Sequence, residues 1–117
     1  MSQQPVPFHP EEFRALKTTI GNYLDQMVPP SAKRNRLMTV LQGVHVRLRH
    51  LLALGQKIEG QRFWLTDVEV MAIDMALVAV ARLVRLIIEP SGEQEDTVLA
   101  LDKMRWRVRM LVFPRQH

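Results

Sequence analysis

The sequence predicts an all-α chain, a four-helix bundle of up-down order, and three observations carry that expectation. Strong breakers occur at only three internal places, Pro29-Pro30, the stretch from Gly55 to Gly60, and Pro90-Ser91-Gly92, and they cut the chain into four segments of helical length. Within each segment apolar residues recur every three to four positions, the period of a helix that buries one face. The 117 residues include no cysteine, and a chain of this length can bury a core large enough to fold as one domain without disulfide or metal staples. The expected organisation is a flexible leader over residues 1–9, the bundle over 10–113 and a short tail over 114–117.

The first helix opens at Pro10, whose missing N–H is no loss in a first turn, and Glu11 and Glu12 suit the positive end of the helix dipole. Phe13, Leu16, Ile20, Tyr23, Leu24 and Met27 form its apolar stripe. The second helix is expected to start behind Ser31 as N-cap and to bury Leu37, Val40, Leu41, Val44, Leu48, Leu51 and Leu52. At about 100° per residue, Arg36 and Arg47 border that stripe on one side and His45 and Arg49 on the other, with Lys33 and Arg34 near the first turn. The linker from Gln56 to Leu65 carries Ile58, Phe63 and Trp64, too apolar to hang free, so it is expected to fold over an open end of the bundle.

Thr66-Asp67-Val68-Glu69 matches a capping box, with Leu65 and Val70 placed as its hydrophobic staple, and starts the third helix. From Val68 to Ile88 this helix is apolar on nearly every side, its polar groups Asp67, Asp74, Arg82, Arg85 and Glu89 gathering on one strip. A membrane span is not expected, because Asp74, Arg82 and Arg85 would each cost about 3 kcal/mol at bilayer depth. Three neighbours cover only part of such a helix, so a further subunit is expected against Met71, Met75 and Val78. The fourth helix begins with a second capping pair, Ser91 and Gln94, and runs from acidic Glu93, Glu95 and Asp96 to basic Arg105, Arg107 and Arg109, the order its dipole favours. Val98, Leu101, Met104, Val108, Leu111 and Val112 face the core; Leu99, Trp106, Met110 and Phe113 form a second stripe on the opposite side, read as an oligomer or partner interface.

Net charge is +4 with a sequence pI near 10.1, and twelve of the sixteen cations are arginine. Arginine offers a planar fork that matches phosphate or carboxylate, so the surplus bears on partners. The candidate nucleic-acid-binding residues are Lys33, Arg34, Arg36, Arg47, Arg49, Arg105, Arg107 and Arg109. Arg105 points to the core side of its helix, where a carboxylate such as Asp102 or another chain can engage it. For every one of these cations the competing reading is a solvated border of the core stripe with a snorkelling stem.

Chemistry is expected to be absent. No Glu-x-x-His or His-Glu-x-x-His occurs, His45 and His50 point to different sides of one helix, and His9 and His117 lie at the termini, so neither a metal site nor a cofactor is expected. Five scattered glycines build no phosphate loop, and no catalytic residues or small-molecule substrate are expected. The N-terminus lacks the basic start and apolar run of a signal peptide, which together with the missing cysteines fits a cytoplasmic protein with no membrane role.

Val28-Pro29-Pro30-Ser31-Ala32-Lys33-Arg34, Phe63-Trp64-Leu65-Thr66-Asp67 and Ala81-Arg82-Leu83-Val84-Arg85-Leu86, taken in order, resemble the four-helix-bundle family that contains the accessory variability determinant (Avd) proteins of diversity-generating retroelements and the ribosomal-RNA intervening-sequence proteins. The similarity runs from about Tyr23 to Val112. Where many members carry glycine then tryptophan late in helix four, this chain has Trp106-Arg107-Val108-Arg109-Met110-Leu111. The resemblance implies a homo-oligomeric ring, pentameric in the well-known members, that binds a reverse transcriptase and its template RNA. Three readings stay open: such a retroelement accessory protein binding RNA or DNA, a helical small subunit of another nucleoprotein complex, and a protein-interaction scaffold with no nucleic-acid role.

Overall fold

The computed structural model describes residues 10–32, 35–55, 63–87 and 91–110, which form four α-helices with no strand element among them. The leader and the tail expected from the sequence lie outside the described residues. α1 spans Pro10–Asn22 and runs straight into a π-helical turn over Tyr23–Met27. That wider turn lets the adjacent Tyr23 and Leu24 both face inward, and both are buried. A 3-10 turn over Pro30–Ala32 follows.

α2 spans Arg36–Leu52, and its N-cap is Asn35, whose side-chain oxygen accepts the Leu37 N–H at 2.9 Å. Ser31, the cap expected from the sequence, instead belongs to the 3-10 turn. The chain re-extends at Asn35 (φ −61°, ψ 141°) before the α-helix starts, so the capping geometry arises four residues later. The buried stripe accordingly includes Met38 with Leu41, Val44, Leu48 and Leu51, while Leu37, Val40 and Leu52 are half-buried at its edge.

α3 spans Asp67–Ile87 and its capping box is formed: Thr66 Oγ1 accepts the Glu69 N–H at 3.2 Å and Glu69 Oε1 accepts the Thr66 N–H at 2.9 Å. Leu65 is fully buried and Val70 packs against the core, as the staple requires. α4 spans Gly92–Arg109 and starts at Ser91, whose hydroxyl accepts the Gln94 N–H at 3.2 Å. The Gln94 side chain also donates to the Arg85 carbonyl at 3.3 Å, tying the start of α4 to the end of α3.

Bonds between Arg85 and Gln94 at one end and Asp74 and Arg105 at the other make α3 and α4 antiparallel. α3 packs against α1, α2 and α4 together, which accounts for part of its apolar circumference, while Val68, Met71, Leu86 and Ile87 stay exposed. Its inner face carries Ala72, Ala76 and Ala81 alongside Ile73 and Leu77, and these small residues let the neighbouring helices approach. Leu16 and Ile20 from α1, Leu41, Val44 and Leu48 from α2, and Val108 from α4 complete one core. Phe63 of the linker meets Phe13 edge-on, ring centroids 5.3 Å apart, so the aromatic end of the linker does lie on the core. Ile58 is outside the described residues.

Candidate functional site

The arginines read as phosphate ligands fall into two groups. Arg47 on α2 is engaged within the fold: its guanidinium pairs with Glu69 at 2.6 Å, donates to the Trp64 carbonyl at 2.7 Å and lies over the Phe63 ring at 4.9 Å. On α4, Arg105 makes a two-pronged contact with Asp74 at 2.7 and 3.3 Å, with Asp102 at 3.7 Å, and Arg109 approaches Asp74 at 3.5 Å. Hydrogen bonding from Arg105 is the main reason the Asp74 carboxyl sits below its ordinary pKa, against the opposing effect of partial burial, and Arg105 is raised in turn. Arg107 grips Glu12 of α1 bidentately at 2.9 and 3.0 Å, joining the first helix to the last. Arg36 and Arg49, by contrast, are exposed on α2 and form no ion pair among the described residues. Lys33 and Arg34 lie outside them.

A second cationic feature spans the seam between α1 and α2. Gly21 of α1 faces His45 of α2 so closely that a Cβ on the glycine would lie 3.0 Å from His45 Nε2. Lys17 precedes Gly21 by one turn and Arg49 follows His45 by one turn. Desolvation, then the charges of Lys17 and Arg49, push the His45 imidazole below its usual pKa, with Asp25 acting the other way. Sequence reasoning set His45 aside and never singled out Lys17. A glycine opposite a histidine was the available signal, but reading it needs the register between two helices.

The expected interface residues are laid out on the outer sides of α3 and α4. Met71, Leu99, Trp106 and Met110 are exposed, Met71 at 59% and Trp106 at 66%, while Met75 and Val78 are half-buried. Phe113 is outside the described residues. Leu86 and Ile87 extend the exposed apolar surface at the end of α3. By helical spacing Asp74 and Arg109 lie between the Met71 side of α3 and the Trp106 side of α4, so a charged seam separates two apolar strips.

Among the described residues no group of three or more histidines and carboxylates is placed to hold a metal, and no helix is long and apolar enough to cross a membrane. No family model, no curated protein and no solved structure matches this chain.

Proposed function

We propose that the chain is a non-catalytic accessory bundle that binds RNA through phosphate contacts and self-associates through the outer face of α3 and α4, with a reverse transcriptase as its protein partner. One observation carries the reading: the cations are partitioned. Arg47, Arg105 and Arg107 are held by carboxylates inside the fold, whereas Lys17, Arg36 and Arg49 on α1 and α2, like Arg14, Arg82, Arg85 and Lys103, form no ion pair among the described residues. Phosphate contact is assigned to α1 and α2, where Lys17 and Arg49 flank the close Gly21–His45 contact, with Arg109 contributing from α4 and with Lys33 and Arg34, outside the described residues, as further candidates from the sequence. The retroelement setting and the polymerase rest on the family resemblance.

Filter binding of a structured RNA across a salt series tests the nucleic-acid part. Arg49→Gln is expected to weaken binding and flatten the log–log salt slope by about one unit, the loss of one phosphate contact. No binding to structured RNA or duplex DNA at low salt would remove it. Light scattering tests self-association, and a clean monomer of 13.6 kDa would sink that part. The exposure of Trp106, at 66%, favours a second reading, a protein-interaction scaffold, which takes first place if RNA is not bound; co-purification with a tagged reverse transcriptase then tests the partner.

A further inference from the structure

The α1–α2 seam is more specific than a scatter of surface cations. The Gly21–His45 contact fixes where the two helices touch, Lys17 lies four residues before the glycine, and Arg49 lies four residues after the histidine. In helices running in opposite directions these offsets bring Lys17 and Arg49 to one height across the seam, one turn from the imidazole. His45 is half-buried there and makes no hydrogen bond among the described residues. Among the described residues the only carboxylate acting on it is Asp25, from the π-helical turn after α1; the other charges it feels there, Lys17 from α1 and Arg49 from its own helix, are positive.

We infer that this seam is a phosphodiester site whose occupation by RNA takes up a proton on His45, so that binding strengthens as the pH falls. The inference rests on the RNA-binding reading above and adds its regulation. The imidazole resists protonation because its partial burial disfavours the charged form and because the two cations one turn away repel the new charge. A phosphodiester between Lys17 and Arg49 reverses that local field, and the protonated ring becomes a third donor to the same anion. By linkage, whatever raises the proton affinity of the ring in the complex raises the affinity for RNA when the ring is protonated, by the same factor.

The test uses the full chain and an oligouridylate, since uracil titrates well above the range of interest. At constant ionic strength, affinity is expected to rise about three- to tenfold from pH 7.5 to pH 5.5, within the limit of tenfold per pH unit that one coupled proton allows. His45→Gln should remove this dependence and His50→Gln should keep it. Histidine-resolved NMR titration of the parent protein gives a reading independent of any variant, with the His45 midpoint below 6.5 when free and higher in the complex. Binding that is equal at all pH values, or a slope that survives in His45→Gln, overturns the proton coupling and leaves RNA binding standing. Absence of oligouridylate binding across the whole range overturns the seam as a phosphodiester site, and the structured-RNA salt series alone then decides the RNA-binding reading.

Discussion

Replacing Arg47 by alanine is expected to destabilise the fold, although the side chain is 44% exposed and lies among residues whose charge suggests nucleic-acid contact. Three contacts disappear together. The ion pair with Glu69 at 2.6 Å, half open to water, contributes about 0.5 kcal/mol. The charge-assisted bond to the Trp64 carbonyl at 2.7 Å adds about 1–1.5 kcal/mol, reduced from the buried value because water replaces the donor. Position over the Phe63 ring at 4.9 Å adds roughly 0.5–1 kcal/mol. The expected loss is therefore about 2–3 kcal/mol, with a fall in Tm on the order of 10 °C for a domain of this size. Urea unfolding at neutral pH measures it, and Arg47→Lys should recover less than half, because one ammonium cannot serve the carboxylate, the carbonyl and the ring at once. A loss below about 0.5 kcal/mol, the ordinary range for an exposed substitution, would refute the assignment of Arg47 to the fold and return it to the phosphate-binding set.

Further expectations concern the other sites. Asp74 has a folded-state pKa below its unfolded value, so its contribution is fully present above about pH 4 and is lost as the pH falls through the lowered value; Asp74→Asn should cost about 1–2 kcal/mol at pH 7 by chemical denaturation, with the gap to the parent closing in acid. His45 is also depressed, but as a base it has the opposite consequence: the unfolded chain takes up its proton first, so stability falls as the pH drops below about 6.5, a decline that His45→Gln should reduce in pH-dependent melting. Trp106→Lys should abolish the proposed self-association, as read by light scattering, while leaving helix content and Tm nearly unchanged, since the indole is exposed in the single chain. Gly21→Ala gains helix propensity of up to about 1 kcal/mol but displaces His45, so its midpoint in an NMR titration should move up toward the solvent value; an unmoved midpoint would show that the contact does not hold the ring.

Elements whose determinants are local were legible in the sequence. The capping box at Thr66 and Glu69 and the cap at Ser91 involve residues three apart, and both are formed. The apolar stripe of α1 and the Val98, Leu101, Met104 and Val108 part of that of α4 needed only the helical period, Leu111 and Val112 lying outside the described residues. Misplacement of the α2 start at Ser31 has a local cause as well: the turn behind Pro30 tightens to 3-10 and stops, leaving Asn35 to cap. Contacts made across the bundle were not legible. Arg47 with Glu69, Arg105 with Asp74 and Arg107 with Glu12 are 22, 31 and 95 residues apart, and a helical wheel gives the direction of an arginine but not what stands opposite it. The basic surface was therefore read as larger than the part left without carboxylate partners.

Those three pairings share a location. The start of α1, the end of α2, the start of α3 and the end of α4 meet at one end of the bundle, where Glu12, Arg47, Glu69, Asp74, Arg105 and Arg107 are concentrated. A core of leucine, valine and alanine discriminates weakly between alignments, because sliding a helix by one turn exchanges one aliphatic contact for a similar one. A two-pronged guanidinium–carboxylate contact is lost completely by the same 5.4 Å displacement. The polar end thus acts as an alignment key for the helices in addition to the stability it contributes. Neutralising Glu12, Glu69 and Asp74 together would leave a helical, collapsed chain whose NMR spectrum broadens as alternative alignments become populated, and a single sharp spectrum would assign the alignment to the apolar core instead.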